Sequence, residues 1–169
     1  MKHLICLLLA VACLLLPGCQ SPEPEFTNPV TFYYPKNDVS YFSTEGVIFR
    51  ETREAGSNRE DIGQLLAMYL SGPEDSDLKK PFSRIVSLKK FEIMDGTAHV
   101  VLSDAASRST GLELTIACAC LTATVCELTG VETVVIRAEN QLLDGNKAIT
   151  MNRKDILLLD DSLVAFDQN

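Results

Sequence analysis

Three observations predict an α+β domain, a small mixed or antiparallel sheet packed against two helices. β-Branched and aromatic runs recur along the chain, two Asp-Gly pairs mark hairpins, and two long stretches carry apolar residues at helical spacing. The order is mixed, with strands before helices and hairpins between them, which is α+β patterning rather than doubly wound α/β.

The chain begins with a short basic start, Met1-Lys2-His3, then an apolar run from Leu4 to Leu16, then Pro17-Gly18-Cys19. Charged, apolar and small residues in that order make a secretory signal. The run is too short for a membrane span of about 20 residues, and Pro17 and Gly18 would end a helix where a span must continue. Ending on cysteine, the stretch Leu15 to Cys19 resembles a bacterial lipobox, with Pro17 an unusual residue in its second place. That resemblance implies cleavage after residue 18 and a diacylglycerol on the Cys19 thiol. Residues 19–29, with Pro22, Pro24, Pro29 and two glutamates, form a semi-extended tether.

A single domain is expected over residues 30–159. Val30 to Tyr34 is β-branched and aromatic, a strand stopped by the turn chemistry of Pro35 to Asp38. Val39 to Phe42 suggests a short strand, and Gly46 to Arg53 a further one. Ser57 and Glu60 have capping-box spacing before Ile62, Leu65, Leu66 and Tyr69 at helical intervals. Ser71-Gly72-Pro73 ends that helix, and Glu74 to Lys80 is a charged loop. Leu88 to Met94, Asp95-Gly96 and Thr97 to Leu102 form a hairpin, with Ala98, Val100 and Leu102 on one face. Gly111 to Gly130 is the longest helical pattern. Leu114, Ala117, Cys118, Leu121, Val125 and Leu128 share its apolar face, widened by Ile116 and Cys120, with Thr122 and Thr124 off it and Gly130 as the cap. Val131 to Ala138 is nearly all apolar, which predicts a central strand covered on both faces. Asn140 to Met151, with Asp144-Gly145, reads as a second hairpin. Lys154 to Leu159 is a last apolar piece, and residues 160–169 an acidic tail.

The charge balance excludes some functions. The full chain has 15 basic and 23 acidic side chains. Losing Lys2 with the signal leaves a net charge of −9. A nucleic-acid partner would want a basic face, and anionic lipid would want basic clusters, so attachment to the membrane falls to the lipid on Cys19. Six cysteines in an exported chain suggest disulfides, but Cys6 and Cys13 leave with the signal and Cys19 is acylated. The remaining Cys118, Cys120 and Cys126 sit on one predicted helix. Cys118 and Cys126 are about 12 Å apart by helical rise, too far to bridge, and Cys118 and Cys120 point to nearly opposite faces. They read as small buried apolar residues. No CxxC spacing marks a metal site, and no cofactor motif appears.

The order of motifs resembles the GerM-type domain of bacterial envelope lipoproteins. Tyr34-Pro35 ends an aromatic strand and Phe49-Arg50-Glu51 lies in the next. Leu70-Ser71-Gly72-Pro73 ends a helix. Asp95-Gly96-Thr97-Ala98-His99-Val100-Val101-Leu102-Ser103 forms a hairpin, and Gly130-Val131 precedes a Val-rich strand and Asp144-Gly145. The resemblance covers residues 30 to 150. It implies a fold similar to the ring-building domains of secretion systems, a role in sporulation or germination, and no catalytic residues. Some members carry two tandem copies, whereas this chain has room for one.

No catalytic set emerges from the residues. His99, the one histidine after signal removal, lies opposite Ala98, Val100 and Leu102 on its strand and reads as a solvated or covered strand histidine rather than a base. Glu74-Asp75-Ser76-Asp77 lacks EF-hand spacing and reads as a solvated loop. Arg50, Arg53 and Arg59 read as a solvated edge able to receive an acidic partner. The sequence therefore points to a non-enzymatic, lipid-anchored protein at the outer face of the cytoplasmic membrane. Its work would be protein–protein assembly in the envelope, with oligomerisation left open. The alternative is a cell-wall ligand-binding module or a regulator of a wall hydrolase.

Overall fold

The computed structural model describes residues 26–37 and 46–156. The signal, Cys19, most of the tether, the short strand expected at Val39 to Phe42 and the acidic tail lie outside the described residues.

Two sheets form where the sequence suggested one. β1 (Pro29–Pro35) pairs antiparallel with β2 (Ile48–Glu54), placing Phe32 opposite Glu51 and Tyr34 opposite Phe49. The second sheet has the order β3 (Leu88–Met94), β4 (Thr97–Leu102), β5 (Thr133–Ala138), β6 (Ile149–Asn152). β4 and β5 are parallel, joined by the long helix, and both outer pairs are antiparallel. The helices are α1 (Ile62–Ser71) and α2 (Gly111–Thr129).

The Asp-Gly pairs turn as expected. Asp95 and Gly96 both adopt positive φ, the conformation that closes a two-residue hairpin between β3 and β4. Asp144 and Gly145 do the same, but they close a local turn, Leu143 to Asn146, inside a longer connection between β5 and β6. Gly130 ends α2 in the left-handed conformation, its N–H donating to the Cys126 carbonyl.

Four further expectations are corrected. The α1 cap is Asp61, whose carboxylate accepts the Gln64 N–H at 3.0 Å, while Ser57 lies in a preceding 3₁₀ turn. β5 is central but covered on one face only: Val134, Ile136 and Ala138 are buried, Thr133 and Val135 half-buried, Arg137 exposed. Arg53 belongs to no solvated edge, being 5 % exposed. Thr122 and Thr124 are fully buried, although the sequence placed them off the apolar face of α2.

The last correction has a physical cause. α2 packs against the four-stranded sheet on one side and against β1 on the other. Leu114, Ala117, Cys118, Leu121 and Val125 join one core with Val100, Val134 and Ile136. Cys120 and Ala123 join Tyr33 and Ile48 in a second cluster. The helix is long and apolar enough to cross a bilayer by length and composition, and here protein on two sides provides that apolar surroundings.

β1 is the strand between these layers. Val30, Phe32 and Tyr34 enter the main core with Leu65, Leu66 and Tyr69 of α1, and Tyr33 faces α2. The Tyr34 and Tyr69 rings stack at 5.0 Å between centroids, and the Tyr34 hydroxyl donates to the Tyr69 carbonyl at 2.9 Å. One edge of β1 pairs with β2. On the other edge, Tyr33 N–H donates to Thr124 Oγ1 at 2.9 Å, the Pro29 carbonyl accepts from Arg59, and the Pro35 carbonyl accepts from the Lys79 N–H.

The two buried threonines should respond oppositely to the same change. Thr124→Val strands the buried Tyr33 N–H and should destabilise by about 1–3 kcal/mol. Thr122 Oγ1 is buried with no partner, so Thr122→Val should be neutral or stabilising by up to ~1 kcal/mol. Urea unfolding of both variants, at unchanged slope, measures the contrast.

Candidate functional site

The residues singled out by sequence do not converge. His99 is half-buried in mid-sheet, opposite Glu92 of β3, on the face away from the helices. Cys118, Cys120 and Cys126 are free and buried in α2. Burial pushes the Cys118 thiol up to about 12 and raises those of Cys120 and Cys126 as well. These are not activated nucleophiles, since activation lowers a thiol pKa.

The acidic loop and the arginines have structural work. Arg53 Nη1 donates to the Gly72 carbonyl at 2.8 Å and Nη2 reaches the Met68 carbonyl at 3.4 Å, satisfying carbonyls at the end of α1. The guanidinium lies 5.1 Å from the centre of the Phe32 ring and 3.6 Å from Glu51. Glu51 in turn accepts the Glu74 and Asp75 N–H groups at 2.8 and 2.7 Å. The turn after Ser71-Gly72-Pro73 is thus clamped between a cation and an anion two residues apart on β2.

A different place gathers exposed, unused side chains. β4 and β5 are parallel, so their carboxyl ends, Leu102 and Ala138, open on the same end of the sheet. A cleft of about 750 Å³ opens nearby, lined by Arg84, Asp104, Ala105, Ser107, Arg108 and Gln141. Crevices outside the carboxyl ends of parallel strands are common ligand sites in α/β sheets. Three chain segments build it. Ser87 and Ser103 tie the first to β4, with the Ser103 N–H donating to the Ser87 carbonyl and the Ser87 N–H to Ser103 Oγ. The turn Asp104–Arg108 follows β4 directly.

Asp104 holds the third segment. Its carboxylate accepts the Asn140 N–H at 2.7 Å, the Asn140 side-chain amide at 3.1 Å and the Gln141 N–H at 3.2 Å. The Asn140 N–H above all keeps its carboxyl below the ordinary aspartate range. The Arg84 and Arg108 guanidinium groups make no hydrogen bond or ion pair among the described residues. Ile85, 90 % exposed, follows Arg84 in sequence, and Leu142, 50 % exposed, follows the lining residue Gln141. Sequence reasoning missed this site, because its residues are scattered over three segments without periodicity. The one available signal was apolar Ile85 in a stretch with no strand or helix period, while Leu142 fell inside the expected second hairpin.

A profile of the Germane family, described as sporulation and spore germination, matches residues 31–144. The chain belongs to the Germane family. Germane domains of known structure share its fold. The tandem GerMN domains of the sporulation protein GerM from Bacillus subtilis superpose with a TM-score of 0.57 at 21 % identity, over 79 % of this chain and 49 % of that one. The first GerMN domain of the same protein superposes with a TM-score of 0.59 at 17 % identity, over 75 % of this chain and 98 % of that one. This chain thus spans about half the length of the tandem protein. A search of curated protein sequences finds no match.

Within this Germane domain the thiols should be silent until it unfolds. At pH 8 a thiol with a pKa of about 12 is roughly 0.01 % thiolate, against about a quarter for an ordinary cysteine. A mature Cys19→Ser chain should give no reaction with a thiol reagent in the native state and three thiols in denaturant. Rapid native labelling, or fewer than three thiols in denaturant without reductant, would contradict buried, unpaired cysteines.

Proposed function

We propose that this chain is a lipid-anchored envelope module whose Germane domain holds a partner protein during sporulation or germination, without chemistry of its own. The observation that carries this reading is the cluster at one end of the sheet. There the cleft holds two arginine side chains without a partner among the described residues, and Ile85 and Leu142, next in sequence to the lining residues Arg84 and Gln141, expose large apolar side chains. Exposed apolar surface bordered by polar groups favours protein contact, and aromatic or arginine anchors dominate such contacts. The anchor rests on the Leu15 to Cys19 stretch, which would keep the domain at the outer face of the cytoplasmic membrane. A second reading, a cell-wall ligand module, draws support from the volume and polar lining of the same cleft.

The test uses a photo-crosslinking residue placed at Ile85 or, as control, at Met94. Met94 is also exposed and apolar but lies at the β3–β4 hairpin, the opposite end of β4. In intact cells of the source organism, Ile85 should capture a discrete protein and Met94 should not. Equal capture from both positions, or none from Ile85, overturns the reading. For the anchor, Cys19→Ser should yield an uncleaved or a released protein, and a cleaved Cys19→Ser form retained on membranes would sink it.

A further inference from the structure

We propose that the segment received by this cleft is acidic, presenting carboxylates to Arg84 and Arg108 and an apolar side chain to Ile85 and Leu142. The inference rests on the assembly reading above and names the chemistry of the partner.

The arginines are the first reason. Arg53, Arg59 and Arg153 are each engaged by carbonyls, a carboxylate or a hydroxyl. Arg84 and Arg108 line one cleft and have no such partner among the described residues. A guanidinium offers a planar fork of donors that matches a carboxylate.

The nearby acid does not neutralise them. Asp104 is the one acidic side chain among the lining residues, and its two oxygens accept three N–H groups from Asn140 and Gln141. It serves as the fastening of the 140–141 segment. The lining side chains still sum to one net positive charge, in a mature chain of net charge −9. An acidic segment would be repelled by most of this surface and favoured here, which gives register as well as affinity.

The exposed apolar residues that follow Arg84 and Gln141 in sequence, Ile85 and Leu142, decide between anions. A phosphate-bearing polymer would use the arginines and leave Ile85 and Leu142 in water. An acidic peptide with an apolar side chain uses both. The walls are fixed before binding by the Ser87–Ser103 exchange and the Asp104 bonds, so little ordering is required of the cleft.

The test is an NMR titration of the mature Cys19→Ser chain with three probes: a short amidated peptide of alternating glutamate and leucine, its glutamine counterpart, and inorganic phosphate. The acidic peptide should give saturable shifts at Arg84, Ser107, Arg108 and Gln141. The glutamine peptide and phosphate should each bind at least tenfold more weakly. Arg84→Gln with Arg108→Gln should weaken the acidic peptide at least tenfold and leave the remaining amide spectrum unchanged. Arg137→Gln, the loss of one positive charge on the open sheet face, should alter binding less than twofold, whereas Arg84→Gln alone should weaken it at least threefold. Equal binding of the glutamine peptide, phosphate binding as strong as the peptide, an equal loss in Arg137→Gln, or no saturable shift would each overturn the proposal. If Ile85 still captures a protein in cells when the acidic peptide shows no preference, the acidic class fails and the assembly reading stands. If the acidic peptide binds as expected and Ile85 captures nothing, it is the assembly reading that fails.

Discussion

β1 has one strand neighbour and two helices to satisfy. Its second edge faces protein rather than water, so its free backbone groups need partners from outside any sheet. Thr124 of α2, Arg59 and the Lys79 N–H provide them for the Tyr33 N–H and the Pro29 and Pro35 carbonyls. A buried threonine in mid-helix is otherwise a poor choice, since it adds a polar group to a packed face. Here its hydroxyl is the acceptor for a buried strand N–H, which joins the two-stranded sheet to the helix that also covers the larger sheet. The two sheets therefore share one core across a single helix.

The clamp at the end of α1 follows from the same arrangement. Phe32 and Tyr34 bring α1 onto β1 through ring contacts with Tyr69, tilted for Phe32 and stacked for Tyr34, and the helix must then end beside β2. Gly72 allows the turn, at φ 111°. Arg53 and Glu51 bind the carbonyls and N–H groups that the turn exposes. Removing water from such an ion pair is costly, and the bonds to the backbone on both sides offset that cost. The Phe-Arg-Glu and Leu-Ser-Gly-Pro stretches, separate in sequence, are two halves of this one contact.

The proposed site sits where these constraints are absent. The helices cover one face of the larger sheet and leave the ends of β4 and β5 to short segments with few apolar anchors. Exposed side chains there are free to meet a partner at no expense to the core. Were the chain anchored through Cys19 as proposed, a modest affinity for a partner on the same membrane would suffice, because shared attachment raises the effective concentration of both. The acidic remainder of the chain would then oppose close approach in other orientations.

How far the residues alone reach can be judged element by element. Period and turn chemistry were enough for β1, the β3–β4 hairpin, both helices and the Gly130 cap, because apolar spacing and φ-demanding turns are local properties. The burial of the three cysteines was legible too, since helical geometry forbade bridging them. Tertiary structure decided the rest. Thr122 and Thr124 look like surface residues until β1 covers the second side of α2. Arg53 looks solvated until α1 ends against it. Val131 to Ala138 looks doubly buried, yet Arg137 and a half-buried Val135 show one face open. The cleft was invisible because Arg84, Asp104, Arg108 and Gln141 meet only when two parallel strands end at the same level. No spacing along a chain encodes that meeting: it depends on the register of β4 against β5, which long-range packing sets.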